Sequence, residues 1–159
     1  MARFAALKAD IDRELRNLER LSRELNEILS TTAEGSVIRV RAAGSVLHDF
    51  YTGAEKIFRW IAVRIDQDLP TGEDWHVQLL QRMAVPVEGI RPRVIGEKLE
   101  TDLEEYLRFR HLFRNIYGFE LKWERCRPLI ENLSKVFSDL KEQIEEFKDF
   151  LDSIESGSR

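Results

Sequence analysis

Tyr106-Leu107-Arg108-Phe109-Arg110-His111-Leu112-Phe113-Arg114-Asn115-Ile116-Tyr117 is the stretch on which the reading of this chain turns. Wound as a helix, it sets Arg110, Arg114 and Tyr117 on one stripe at i, i+4 and i+7, with His111 and Asn115 on the stripe beside it. Phe109, Leu112, Phe113 and Ile116 fall on the roughly opposite face. Such a helix buries one side and presents phosphate-binding and hydrogen-bonding groups on the other.

The same period runs outward in both directions. Phe4, Leu7, Ile11, Leu15, Leu18, Leu25 and Ile28 predict a first helix from about Arg3 to Leu29. Ser30 to Ser36 reads as a turn whose last residue, Ser36, caps the second helix. That helix is predicted from about Val37 to Asp66, where Gly44 and Gly53, costly for helix propensity, allow close helix-helix approach beside Ala42 and Ala43. Leu69-Pro70-Thr71-Gly72 breaks the chain, and Asp74 is placed as the N-cap of a short helix from Trp75 to about Ala84. Pro86, Gly89 and Pro92 make an irregular connector packed over the bundle. A fourth helix is expected from about Glu97 to Tyr117, ended by a left-handed Gly118. The last is expected from about Lys122 to Ile154, with Leu129, Leu133, Val136, Leu140, Ile144, Phe147 and Leu151 inward and Pro128 kinking it or marking its first turn. These patterns predict an all-α antiparallel helical bundle with long amphipathic helices, one domain over residues 1–155 and a disordered tail at 156–159.

Composition bounds what the bundle does. The 159 residues are 43% hydrophobic and 34% charged, and no apolar run approaches the ~20 residues that span a bilayer. Charged residues come too soon after Met1-Ala2-Arg3-Phe4 for a secretory signal, and a single cysteine, Cys126, excludes an internal disulfide; the expectation is a cytoplasmic protein with Cys126 on a packed helix face. The formal charge of −4 argues against coating nucleic acid by bulk electrostatics. The charge is uneven, however. Residues 108–127 carry a net +4, and residues 139–155 a net −5. A basic patch on an acidic body suits a small anionic target or an acidic partner surface, and a solvated helix face accounts for it equally.

His48, His76 and His111 lack ligand spacing, so neither a metal site nor a cofactor is expected. His48 and His76 read as packing histidines or as supports for a site near His111. Arg108, Arg110 and Arg114 offer guanidiniums that grip phosphate. His111 can move a proton near neutral pH, and the Tyr117 phenol can donate to or accept from a phosphate oxygen. Together they suit cleavage of an RNA backbone without a metal.

Arg110, Asn115 and Tyr117, spaced Arg-x4-Asn-x-Tyr, resemble the Arg-x4-His-x-Tyr motif of the HepT toxins in the HEPN superfamily, and the polar His111 after the arginine fits that superfamily's pattern. Leu47-His48-Asp49-Phe50-Tyr51-Thr52-Gly53-Ala54-Glu55-Lys56-Ile57 and Trp75-His76-Val77-Gln78-Leu79-Leu80-Gln81-Arg82-Met83 are similar to the same branch, so the likeness covers about Ala43 to Leu133. The resemblance implies a HEPN bundle acting as a homodimer, with Arg110, His111, Asn115 and Tyr117 in a composite cleft for metal-independent RNA cleavage. It also implies an MNT-type nucleotidyltransferase antitoxin that silences the toxin by adding AMP to the motif tyrosine, here Tyr117. One position departs from the motif. Asn115 stands where the histidine belongs, and an amide cannot shuttle a proton. Either His111 takes over the proton work, or the chain is a non-catalytic HEPN module that binds, or is modified by, a nucleotidyltransferase.

Overall fold

Apolar residues every three or four positions wind into α1, Ala5–Thr31, whose Leu7, Ile11, Leu15, Leu18 and Leu25 are buried. The computed structural model of the protein describes residues 2–157. Ser36 caps the next helix as its sequence predicts, its Oγ accepting from the amides of Ile38 and Arg39. That helix, α2 (Val37–Ile61), is buried on nearly every face and touches all four of the other helices; a π-helical turn, Ala62–Asp66, extends it. Trp75–Met83 forms α3, Glu97–Arg114 forms α4 and Trp123–Gly157 forms α5. Apart from an isolated bridge between Val87 and Arg91, the regular structure of the described residues is helical.

The helices run antiparallel. Gly53 on α2 meets Leu18 on α1 so closely that a Cβ there would lie 2.5 Å from the leucine methyl, and Gly44 admits Leu121 and Phe113 in the same way. The two glycines therefore do what their cost in propensity anticipates. Along α1 and α5, Lys8 pairs with Asp152 and Lys148 with Asp12, and the Phe4 amide donates to Glu155 at 2.8 Å. Between α4 and α5, the Tyr106 hydroxyl donates to the Leu129 carbonyl at 2.7 Å, and the Gly96 amide donates to Gln143 at 2.7 Å. Cys126 is fully buried, and burial pushes its thiol up to about 11. Among the described residues no helix is long and apolar enough to cross a membrane.

Four expectations need correction. The fourth helix ends at Arg114, three residues short of Tyr117, because Asn115 leaves helical geometry and turns its amide back to donate to the His111 carbonyl at 2.6 Å. Gly118 is not left-handed. It opens a short 3₁₀ turn, Gly118–Glu120, where a Cβ would lie 2.6 Å from the Arg41 Nε, the movable end of an exposed side chain. Asp74 caps no backbone amide; its carboxylate instead accepts from the Gln78 side chain at 2.7 Å. At the C-terminus α5 continues through Ser156 and Gly157, so that part of the expected tail is helical; Ser158 and Arg159 lie outside the described residues. Pro128 sits in the second turn of α5 and leaves the Glu124 carbonyl without its usual amide partner.

The connector between α3 and α4 is held by one buried guanidinium. Arg91 donates to both carboxylate oxygens of Asp66 at 2.6 and 2.8 Å, and to the carbonyls of Val85 and Pro92 at 3.0 Å each. It thereby ties the connector to the end of α2. Removing one partner of a buried ion pair leaves the other desolvated and alone, typically at ~3–5 kcal/mol. Urea unfolding of Arg91→Ala is expected to show a loss of that size, and a loss below about 1 kcal/mol would mean the connector is held by something else.

Candidate functional site

Three helices each send one polar side chain to the same buried point. Glu55 comes from the otherwise apolar face of α2, His76 from the first turn of α3 and Arg110 from the C-terminal half of α4. Arg110 Nη2 donates to Glu55 Oε2 at 3.0 Å and Oε1 at 3.2 Å, while Nη1 lies 3.5 Å from Thr52 Oγ1. His76 Nδ1 lies 2.7 Å from Glu55 Oε2 and 2.9 Å from Arg110 Nη2. Nδ1 cannot donate to the carboxylate and accept from the guanidinium at once. The shorter, charge-assisted contact assigns the proton to Nδ1, donating to Glu55 and leaving Nε2 as the free ring nitrogen.

The packing around this knot fixes it. Glu55 is 6% exposed and Arg110 5%, and the guanidinium lies over the Tyr51 ring at 5.0 Å. The Trp75 indole lies against the His76 imidazole, tilted by 30° with centroids 3.6 Å apart, and Arg59 lies over the indole. Burial, then the nearby Glu55 carboxylate, push the Tyr51 hydroxyl well above the usual phenol range.

Above the knot opens a cleft of about 530 Å³ between α3 and α4. His76, Arg108, Arg110, His111, Arg114 and Asn115 line it, with Glu73, Asp74 and Glu104 supplying opposite charge. Sequence-predicted site residues thus gather in one recess, with different freedoms. Arg108 is exposed but paired with Glu105 at 2.7 Å and Glu104 at 2.9 Å. Arg110, which its spacing sets on the presented face, is instead buried against Glu55, because the carboxylate inside the bundle draws the guanidinium in as its counter-charge. Arg114 is exposed and, among the described residues, makes no ion pair, so it is the free guanidinium of the cleft. His111 is exposed and its ring makes no hydrogen bond among the described residues, while Asn115 directs an amide N–H to the His111 carbonyl.

Two expected site residues lie elsewhere. Because α4 stops early, Tyr117 is off the Arg110–Arg114 stripe and outside the cleft lining; it is 70% exposed and stacked on Phe119, centroids 5.2 Å apart and rings within 7° of parallel. His48 packs against Phe113 and faces Asp49 rather than the cleft. Conversely, sequence reasoning misses Glu55 and Thr52. The available signal is a lone carboxylate at Glu55 among Tyr51, Ala54 and Phe58, where helical spacing puts it on a buried face. Among the described residues no group of three His, Cys, Asp or Glu side chains gathers as it would to hold a metal ion.

A family model described as HepT-like protein matches residues 42–151. No curated protein and no solved structure matches the chain.

The Tyr51 hydroxyl is buried and, among the described residues, has no hydrogen-bond partner. Deleting an unsatisfied buried polar group costs nothing in lost bonds, so Tyr51→Phe should hold or raise the melting temperature. A melting temperature several degrees lower would show that the hydroxyl is bonded in solution.

Proposed function

The chain belongs to the HepT-like family, of HEPN type, and from that premise we propose that it is an endoribonuclease toxin, acting as a homodimer and neutralised by an MNT-type nucleotidyltransferase antitoxin in the cytoplasm. The observation that carries the reading is the shared recess: His76, His111, Arg114 and Asn115 open into one cleft between α3 and α4. Cleaving an RNA backbone without a metal needs a cation to hold the scissile phosphate and groups that move protons. Arg114 is the phosphate anchor, since Arg108 is paired at the rim and Arg110 is held inside. Asn115 positions the scissile group, and His111 supplies proton transfer. One free guanidinium in each chain's cleft is little for a polyanion. A second copy set against the same face doubles it, which is the physical reason for a dimer.

A second reading rests on Asn115. With its amide committed to the end of α4, the position where the family motif carries histidine does no proton chemistry. The chain is then a non-catalytic module for a nucleotidyltransferase. In either reading the exposed Tyr117 phenol is open to take AMP from ATP, with pyrophosphate released.

Incubating the purified protein with single-stranded RNA and a chelator should yield 2′,3′-cyclic phosphate and 5′-hydroxyl ends. Arg114→Ala should slow cleavage by about 10–100-fold, the worth of a charge-assisted bond to phosphate. No cleavage by the native chain, with activity appearing in Asn115→His, would select the second reading. Light scattering at micromolar concentration should give the mass of a dimer, and a strict monomer would remove the composite cleft.

A further inference from the structure

Backbone cleavage by the neighbouring 2′-hydroxyl moves two protons. The O2′ proton leaves as the O2′–P bond forms, and a proton reaches O5′ as the P–O5′ bond breaks, giving a 2′,3′-cyclic phosphate and a 5′-hydroxyl. One histidine working once cannot serve both atoms in the same step, and Asn115 can serve neither. Building on the endoribonuclease reading, we propose that His76 takes the proton from O2′ and His111 delivers the proton to O5′.

The geometry distinguishes the two rings. His76 is held at one edge by Glu55, 2.7 Å from Nδ1, and on one face by the Trp75 indole. With Nδ1–H committed to the carboxylate, Nε2 carries the free lone pair, and the half-buried ring lines the cleft. A buried carboxylate fixes the tautomer and stabilises the imidazolium once the proton arrives, which is the arrangement that a general base requires. Glu55 is in this scheme a positioning residue. His111 stands on the other wall of the recess, exposed and unbonded, one turn before the Asn115 cap and beside the free Arg114. It can follow the leaving oxygen outward. Both histidines line one recess although 35 positions separate them in the chain, a meeting that the α3–α4 packing creates.

Two RNA substrates, normal and with sulfur in place of the bridging 5′-oxygen, separate the roles. A thiolate leaves without protonation, so it needs a base but no acid. On normal RNA, His76→Gln and His111→Gln should each lose about 10²–10⁴-fold. On the sulfur substrate His111→Gln should recover to near the native rate, while His76→Gln and Glu55→Gln remain slow. Added imidazole should restore His76→Ala, which a merely misfolded variant would not allow, and ¹⁵N spectra of the free protein should show His76 protonated at Nδ1. Native-like cleavage by His76→Gln, rescue of the wrong variant by sulfur, or a proton on Nε2 would each overturn the proposal while leaving the endoribonuclease reading intact. Absence of cleavage of both substrates by the native chain would overturn the two together.

Discussion

A carboxylate buried in the middle of the central helix is the constraint around which this bundle is arranged. Glu55 cannot remain ionised among Tyr51, Ala54 and Phe58 without a counter-charge and donors, and α4 and α3 supply both. Arg110 brings charge and His76 brings a second donor, so three helices are registered against one another at a single point. The consequence is an arginine withdrawn from the surface. That withdrawal leaves Arg114 as the exposed guanidinium of the cleft, to which the proposed function gives the phosphate, and holds His76 as an oriented ring at the base of the cleft.

The cleft is electrostatically modest for a nucleic-acid site. Its three arginines face Glu73, Asp74 and Glu104, and Glu104 already holds Arg108. Attraction of RNA by bulk field is therefore weak, in keeping with the chain's formal charge of −4. On the proposed reading, recognition comes from fixed groups at short range and from a second copy contributing the same groups. A narrow, oriented site of this kind discriminates by geometry more than by charge.

The helices are legible because their apolar residues recur with helical period over many turns; Leu7 to Leu25 and Leu133 to Leu151 need no tertiary information. Ser36 is an equally local signal, and Gly44 and Gly53 stand out as weak helix formers inside a strong helical pattern, although the partners they admit lie far along the chain. The features that escape such reading are decided elsewhere. The end of α4 depends on the Asn115 amide choosing a backbone carbonyl, a competition that spacing does not reveal. Gly118 lies against the Arg41 side chain from α2, 77 positions away, rather than closing α4. Arg110 looks presented because its stripe is polar, yet a buried partner on α2 reverses its direction. The motif residues lie on one segment of chain, and the fold assigns each of its side chains a different freedom.

The dependence of the site on that buried pair is open to direct measurement. Unfolding free energies of the native protein, Glu55→Gln, Arg110→Met and the double variant form a cycle whose coupling term isolates the pair. A close, desolvated, hydrogen-bonded pair of this geometry should couple by about 2–3 kcal/mol, with the double variant far less damaged than the two single losses added together. Additive losses, with coupling below about 0.5 kcal/mol, would contradict the account by showing that Glu55 and Arg110 do not hold each other in solution.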